Sequence, residues 1–266
     1  MRNKDRINFE IKNLRLQVLE MAYRSSEWHL ASSFSVAEII FMLYLLCINT
    51  KKSDFILSKG HAAPMLYSVL SHFSHIPHNH LDTFCTNGSS LIAHTTNSIK
   101  WIQVATGSLW MGLSVGIWFS IANRASGNNK KTFVLLWDGE LNEGSIWEWL
   151  LFAGSNNIKD IIAIVDFNKI QASNFCDSII KTTPMFNAAK SLGWRVLYLD
   201  DGHDTDKVAS VLKKAIDYSW WPMLIVSNSI KWKGVDFMEN NPEWHHKVLS
   251  EKEYISAKKQ LSYDQD

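Results

Sequence analysis

Between Thr132 and Gln171 two short apolar runs flank a longer mixed stretch, a pattern that predicts a βαβ unit. Thr132 to Leu136 predicts a strand, Asp138, Gly139 and Glu140 an acidic turn, and a helix is expected from about Glu143. Ile161 to Val165 predicts a second strand, followed by a turn carrying Asn168. Side-chain oxygens therefore stand just past the carboxyl ends of both strands. Open parallel sheets bind ligands in the crevice there, so Asp138 and Asn168 are placed where a cation and a phosphate would be held.

Upstream, Ile7, Ile11, Leu14, Val18 and Met21 recur at helical spacing and predict an amphipathic helix over residues 7 to 24. Ser35 and Glu38 have the spacing of a capping box, starting a second helix from about Val36 that is apolar nearly all round and hence buried. Asp54 to Leu57 predicts a short strand, with Gly60 as a flexible hinge into a helix beginning near Ala62. His72 to His80 contains four histidines, but irregular spacing around Pro77 and the lack of carboxylates favour a solvated connection over a metal site. Residues 101 to 124 read as an extended piece, a turn at Gly107 and a long helix dense in small residues. Trp194 to Leu199 and Met223 to Val226 predict two more strands around a helix from about Thr205 to Tyr218. Five strands alternating with helices imply a doubly wound, mostly parallel α/β sheet with helices on both faces. No linker divides residues 1 to 266, so one domain is the economical reading.

Composition narrows the chemistry. With 27 basic and 26 acidic residues the formal charge is +1, leaving no electrostatic footprint for nucleic acid or an anionic membrane. The three cysteines, Cys47, Cys85 and Cys176, form no CxxC pair and fit structural thiols in a reducing compartment. The N-terminus lacks an apolar signal core, and the most apolar run, Val36 to Ile48, is too short to span a bilayer. A soluble, cytoplasmic protein with small-molecule or protein partners is expected.

A carboxylate directly after a strand, a glycine beside it and an asparagine 30 residues on are hard-oxygen ligands suited to Mg²⁺ or Ca²⁺, ions commonly completed by substrate phosphates. An ordinary β-turn at Asp138-Gly139 is the plain alternative. The wider pattern, D-G-E-x-x-E-G-x-x-W-E followed by I-V-D-x-N-x-x-Q, resembles the thiamine diphosphate signature of transketolases, in particular their separately encoded N-terminal subunit. SFSVAEIIFMLY, ILSKGHAAPMLYSVL, ATGSL with MGLS, LDDGHD and GVDFMENNPEWH resemble further blocks of that family in the same order.

The resemblance implies a thiamine diphosphate-binding fold and roles for particular residues. Asp138, Asn168 and the backbone carbonyl of Ile170 would ligate the divalent cation. Gly139 would give the diphosphate a backbone N–H, and Glu143, Gly107 and Leu109 would also line the cofactor, Leu109 under its aminopyrimidine ring. His29, His61, His94 and His245 would be the active-site histidines, with His61 and His245 touching the cofactor as well. The implied reaction moves a two-carbon ketol unit from a ketose phosphate to an aldose phosphate. Cofactor activation in the family needs a glutamate from a pyrimidine-binding domain, so the resemblance implies that the partner is a C-terminal transketolase subunit, in an α2β2 assembly. Two alternatives stay open: an acyl transfer like that of deoxyxylulose phosphate synthase, and a non-catalytic subunit that keeps the fold as an assembly surface.

One departure is systematic. Trp28, Trp101, Trp110, Trp118, Trp137 and Trp232 stand at or near places where the family has glycine. The chain has 12 Trp and 12 Gly, about 4.5% each against a usual glycine share of about 7%. Divergence with lost or altered cofactor binding is one explanation. A coding sequence in which UGA specifies glycine, read with UGA as tryptophan, gives the same one-way pattern.

Overall fold

The computed structural model describes residues 3–26, 30–107, 111–171 and 174–262. The strands are β1 Ser53–Leu57, β2 Lys131–Trp137, β3 Ile161–Phe167, the two-residue β4 Ile170–Gln171 and β5 Asn174–Phe175, β6 Arg195–Leu199 and β7 Met223–Asn228. The helices are α1 Asn3–Ser25, α2 Leu30–Phe34, α3 Ala37–Leu43, α4 Ala63–His72, α5 Met111–Ala125, α6 Gly144–Ser155, α7 Cys176–Ile179, α8 Thr183–Ser191, α9 Thr205–Asp217 and α10 Glu251–Leu261. Five strands form one sheet in the order β1-β2-β3-β7-β6, every neighbouring pair parallel.

β1, β2, β3 and β7 are buried almost throughout because both faces are covered, whereas the edge strand β6 exposes Arg195 and Tyr198. Side chains alternate between two cores with the period of two that a pleated strand imposes. Phe55, Leu57, Phe133, Leu135, Ile162, Ile164, Met223 and Ile225 face a core shared with α1, α3, α4, α9 and α10. Ile56, Val134, Leu136, Ile161, Ala163, Val165, Leu224 and Val226 face the other, shared with α5, α6 and α8. This is the doubly wound α/β arrangement the sequence pattern implies. The small residues of α5 set its depth: a Cβ on Gly112 would lie 2.3 Å from the Ser58 side chain, and one on Gly116 2.3 Å from Val134 Cγ2. That helix seats directly on β1 and β2 because glycine lets backbone approach.

Several local expectations are corrected. α3 starts where predicted, but no capping box forms, since Val36 is its N-cap and no side chain caps it. Ser35 Oγ instead donates to Asp166 Oδ2 at 2.7 Å, and Glu38 accepts from Arg15 at 2.8 Å and pairs with His203 Nδ1 at 3.0 Å. Charged partners outcompete a neutral backbone N–H for these side chains. Gly60 is a packing position rather than a hinge, because a Cβ there would meet Thr106 Oγ1 at 2.9 Å. The histidine segment is only partly solvated: His75 stacks on Trp101 with ring centroids 3.8 Å apart and bonds Asn49 Oδ1 at 2.6 Å. The antiparallel β4-β5 pair, α7 and α8 were not predicted, since residues 170–191 mix polar and apolar positions without a sustained period. Among the described residues no helix is long and apolar enough to cross a membrane.

Candidate functional site

The carboxyl ends of the four adjacent strands β1, β2, β3 and β7 converge on a buried polar cluster. β1 is followed by Ser58 and Lys59, β2 by Asp138, and β7 by Ser229 and Lys231; β3 carries Asp166 near its end and is followed by Asn168. All seven side chains are buried. The β2–β3 register sets Trp137 opposite Asp166, which brings Asp138 to the loop after β3.

Asp166 is the hub. Its Oδ2 accepts from Lys59 Nζ at 2.5 Å, Ser35 Oγ at 2.7 Å and Asn168 Nδ2 at 2.9 Å, and its Oδ1 from Ser229 Oγ. Lys59 Nζ also reaches Ser35 Oγ at 3.0 Å. Burial alone would raise the Asp166 pKa, but the Lys59 charge and the donated hydrogen bonds outweigh it and hold the carboxyl below its ordinary range. Asn168 is thereby oriented: its amide nitrogen is committed to Asp166, and its Oδ1 accepts the Ile170 N–H at 3.1 Å.

Asp138 is in the opposite condition. Its Oδ2 accepts the Lys169 N–H at 2.6 Å, while its Oδ1, fully buried, has no hydrogen-bond partner among the described residues. Burial, reinforced by the Asp166 charge and offset in part by Lys59 and Lys231, pushes its pKa up to about 7. The nearby Cys176 thiol is pushed up too, first by its own burial and then by the Asp138 carboxylate. Lys231 is 1% exposed and donates from Nζ to the Ile170 carbonyl at 3.2 Å. Burial and the Lys59 charge bring its pKa down to about 8, against the opposing pull of Asp138 and Asp166.

The turn after β2 is fixed by Glu140, whose Oε1 accepts from Ser58 Oγ at 2.5 Å and whose Oε2 accepts the Trp137 N–H at 3.0 Å. Gly139 begins the 3-10 turn Gly139–Asn142, and Glu143 is the half-buried N-cap residue of α6, with no side-chain cap bond. His61 is buried, its ring centroid 5.0 Å from that of Trp137 in an edge contact. The half-buried His94 lies against Gly107, where a Cβ would be 3.5 Å from its ring. His245 lies in the short helix Pro242–His246, but its side chain is outside the described residues, as are His29 and Leu109 entirely. The structure thus brings Asp138, Asn168, Ile170, Gly139 and His61 together, with His94 and Gly107 as a separate adjoining pair.

The residues present fit a hard divalent cation. Among the described residues no three His, Cys, Asp or Glu side chains converge on a metal position. The oxygen donors are one carboxylate with an orphaned buried oxygen, one amide and one backbone carbonyl, a set suited to an ion completed by phosphate and water. The diphosphate side fits less well. A Cβ on Gly139 would lie 2.9 Å from Cη2 and Cζ3 of Trp137, so the indole packs on the glycine expected to offer its N–H. Trp137 therefore does not point away from the site.

Trp232 has a different signature. It is fully buried at φ 67°, the left-handed region that favours glycine, and its indole Nε1 has no hydrogen-bond partner among the described residues. Trp118 is exposed on α5, where any residue fits, and Trp101 is half-buried under His75. Trp28 and Trp110 lie outside the described residues.

Motif reading assigned no role to Lys59, Asp166, Ser229 or Lys231, and gave Ser35 only the cap of a helix. A signal was available, since Asp166 interrupts an otherwise apolar strand and a charge so placed needs a buried partner.

A doubly wound parallel sheet with an oxygen-ligand site at its carboxyl edge defines an α/β domain of the kind that holds a phosphorylated cofactor through a metal ion. The chain belongs to the transketolase family: residues 10–266 match the domain described as "Transketolase, thiamine diphosphate binding domain". That membership places it among the transketolase-type transferases. It is 31% identical over 257 residues to one of the apulose-4-phosphate transketolase subunits, that of Phocaeicola vulgatus, spanning 93% of this chain and 91% of the relative. It is 30% identical over 257 residues to a 6-deoxy-6-sulfo-D-fructose transketolase subunit of a Clostridium species, spanning 93% of each. The solved transketolase of Campylobacter jejuni superposes with a TM-score of 0.87 at 25% identity, covering 97% of this chain and 43% of the transketolase chain.

Proposed function

We propose that the chain acts as a single diphosphate-binding domain, the N-terminal subunit of a split transketolase, and transfers a two-carbon ketol unit from a ketose phosphate to an aldose phosphate. The observation that carries this reading is the buried Asp138 Oδ1, a carboxylate oxygen that no described residue satisfies. Asp138, Asn168 Oδ1 and the Ile170 carbonyl would hold Mg²⁺ or Ca²⁺, and the Gly139 N–H and Glu143 would line the diphosphate end. Bound thiamine diphosphate would supply the nucleophilic carbon that takes up and releases the two-carbon unit. The chain's own work is orientation, exclusion of water and proton transfer. His61, buried beside the cluster, and His94, half-buried beside Gly107, are suited to exchange protons with sugar hydroxyls, and by resemblance His29 and His245 complete that set.

The partner in this reading is a pyrimidine-binding C-terminal subunit in an α2β2 assembly. Two relatives matched over nearly their full length are themselves named as transketolase subunits, which supports it. The test is co-purification with a pyrimidine-binding partner, followed by assay with ketose phosphate or pyruvate as donor. Ketose phosphate turnover by the pair and little by the lone chain is expected, and robust turnover by the lone chain would sink the proposal. Pyruvate turnover would favour the acyl-transfer alternative. The packing of Trp137 on Gly139 favours one other reading, a subunit that keeps the fold but binds the cofactor weakly. Calorimetry with thiamine diphosphate and Mg²⁺ separates the two.

A further inference from the structure

The charged side chains shut into the cluster at the strand ends include Lys59, Asp166, Lys231 and Asp138. Lys59 and Asp166 satisfy one another directly at 2.5 Å. The Lys231 ammonium and the Asp138 carboxylate lie in the same buried cluster, where each charge favours the ionised form of the other. The Lys231 ammonium is held at 3.2 Å from the Ile170 carbonyl, which is one of the three oxygens assigned above to the divalent cation. It also lies 5.8 Å from the ring centroid of Trp137. A carbonyl that takes a hydrogen bond from an ammonium and one that binds a metal ion present the same oxygen to the same kind of charge. Both uses at once would press a +1 ammonium against a +2 ion at close range, which a low-dielectric interior penalises.

We propose that Lys231 is the resident cation of the metal-free chain: its ammonium holds the Ile170 carbonyl and balances Asp138, and a divalent cation takes that carbonyl only by displacing it. The inference rests on the cation site of the proposed function. It makes Lys231 a positioning residue that keeps the empty site folded and sets how tightly the cation binds. Because the ammonium competes with the metal, removing it weakens the empty site and strengthens the metal-bound one.

The test is Ca²⁺ titration of the full-length chain by calorimetry without cofactor, beside thermal unfolding in chelator and in Ca²⁺, for the native chain, Lys231→Met and Lys231→Arg. Lys231→Met is expected to unfold at lower temperature in chelator yet bind Ca²⁺ about tenfold more tightly or better, the change that one charge-assisted hydrogen bond corresponds to. Lys231→Arg keeps the charge and should behave like the native chain. Lys231→Gln, which can still donate to the carbonyl without the charge, keeps the comparison available should the Met variant not fold, and is expected to lie between the two. Equal Ca²⁺ affinity in native and Met or Gln variants, with binding lost in Asp138→Ala, would overturn the inference and leave the site reading standing. No Ca²⁺ binding by any of them would overturn both.

Discussion

The replacement Trp137→Gly should make the empty chain weaker and the cofactor bind better. The indole is 7% exposed, rests on Gly139 and touches His61 edge-on. A buried indole covers roughly 150–250 Å², which at about 25 cal/mol/Å² corresponds to some 4–6 kcal/mol as an upper bound. Large-to-small substitutions of buried aromatics cost about 3–5 kcal/mol, and glycine in a strand adds roughly 0.5–1. The void left here opens on a polar site that water can enter, so a loss of about 3–5 kcal/mol is expected in the empty state. For a chain of this size that lowers Tm by roughly 6–15 °C. Thiamine diphosphate with Mg²⁺ should then act oppositely, because the Gly139 backbone becomes accessible. Ligand at a hundred times its Kd stabilises by about 2.7 kcal/mol. Differential scanning fluorimetry with and without cofactor reads both effects, and the cofactor-induced rise should exceed that of the native chain by at least about 5 °C. An equal or larger rise in the native chain would refute the argument that the indole stands in the diphosphate's place.

Further tests address charge and coding. Asp138→Asn is expected to stabilise the metal-free chain at pH 8, because burial raises the folded pKa of Asp138 from 3.8 to about 7. The folded state is then penalised fully above about pH 7, and the penalty fades as pH falls toward 3.8, so the variant's advantage should shrink over that window. The expected gain is roughly 1–3 kcal/mol, below the ceiling of about 4 that 1.36 kcal/mol per pKa unit sets, with loss of any response to Ca²⁺. Arg15→Ala strands the buried Glu38 beside His203 and should cost about 3–5 kcal/mol in urea unfolding. Burial pulls Glu38 upward but Arg15 and His203 outweigh it, so its folded pKa lies below 4.5. That stability is present above pH 4.5 and lost as pH falls through the lower folded value, so the variant's acid limb should be flatter than the native one. Sequencing of the coding DNA should find UGA at Trp137 and Trp232 if glycine is encoded there, and UGG at both excludes it.

The fold was legible because its central strands β2, β3 and β7 are apolar on both faces, and β1 and the edge strand β6 are still short, largely apolar runs between helices. Residues 170–191 were not legible, since two-residue strands and short helices carry too few positions for a period to emerge. The site divides along the same line. Asp138 and Asn168 could be placed side by side from residue type and strand ends, and Ile170 beside them from the family motif, because both signals are local in sequence. Lys59, Asp166 and Lys231 could not be assigned, because their roles depend on pairing between residues 61 to 107 positions apart in sequence, a relation that only the strand order β1-β2-β3-β7 creates. Local reading also misjudged Ser35 and Glu38, whose spacing promised a cap but whose oxygens serve Asp166, Arg15 and His203. In each case a long-range charge outweighed a local hydrogen bond, as expected where desolvation makes an unpaired charge costlier than an uncapped N–H. The same comparison gives the tryptophans their meaning. At Trp118 solvent tolerates the ring, whereas at Trp232 a left-handed backbone and a buried Nε1 with no partner among the described residues register the mismatch, so the strain falls where backbone geometry, rather than space alone, calls for glycine.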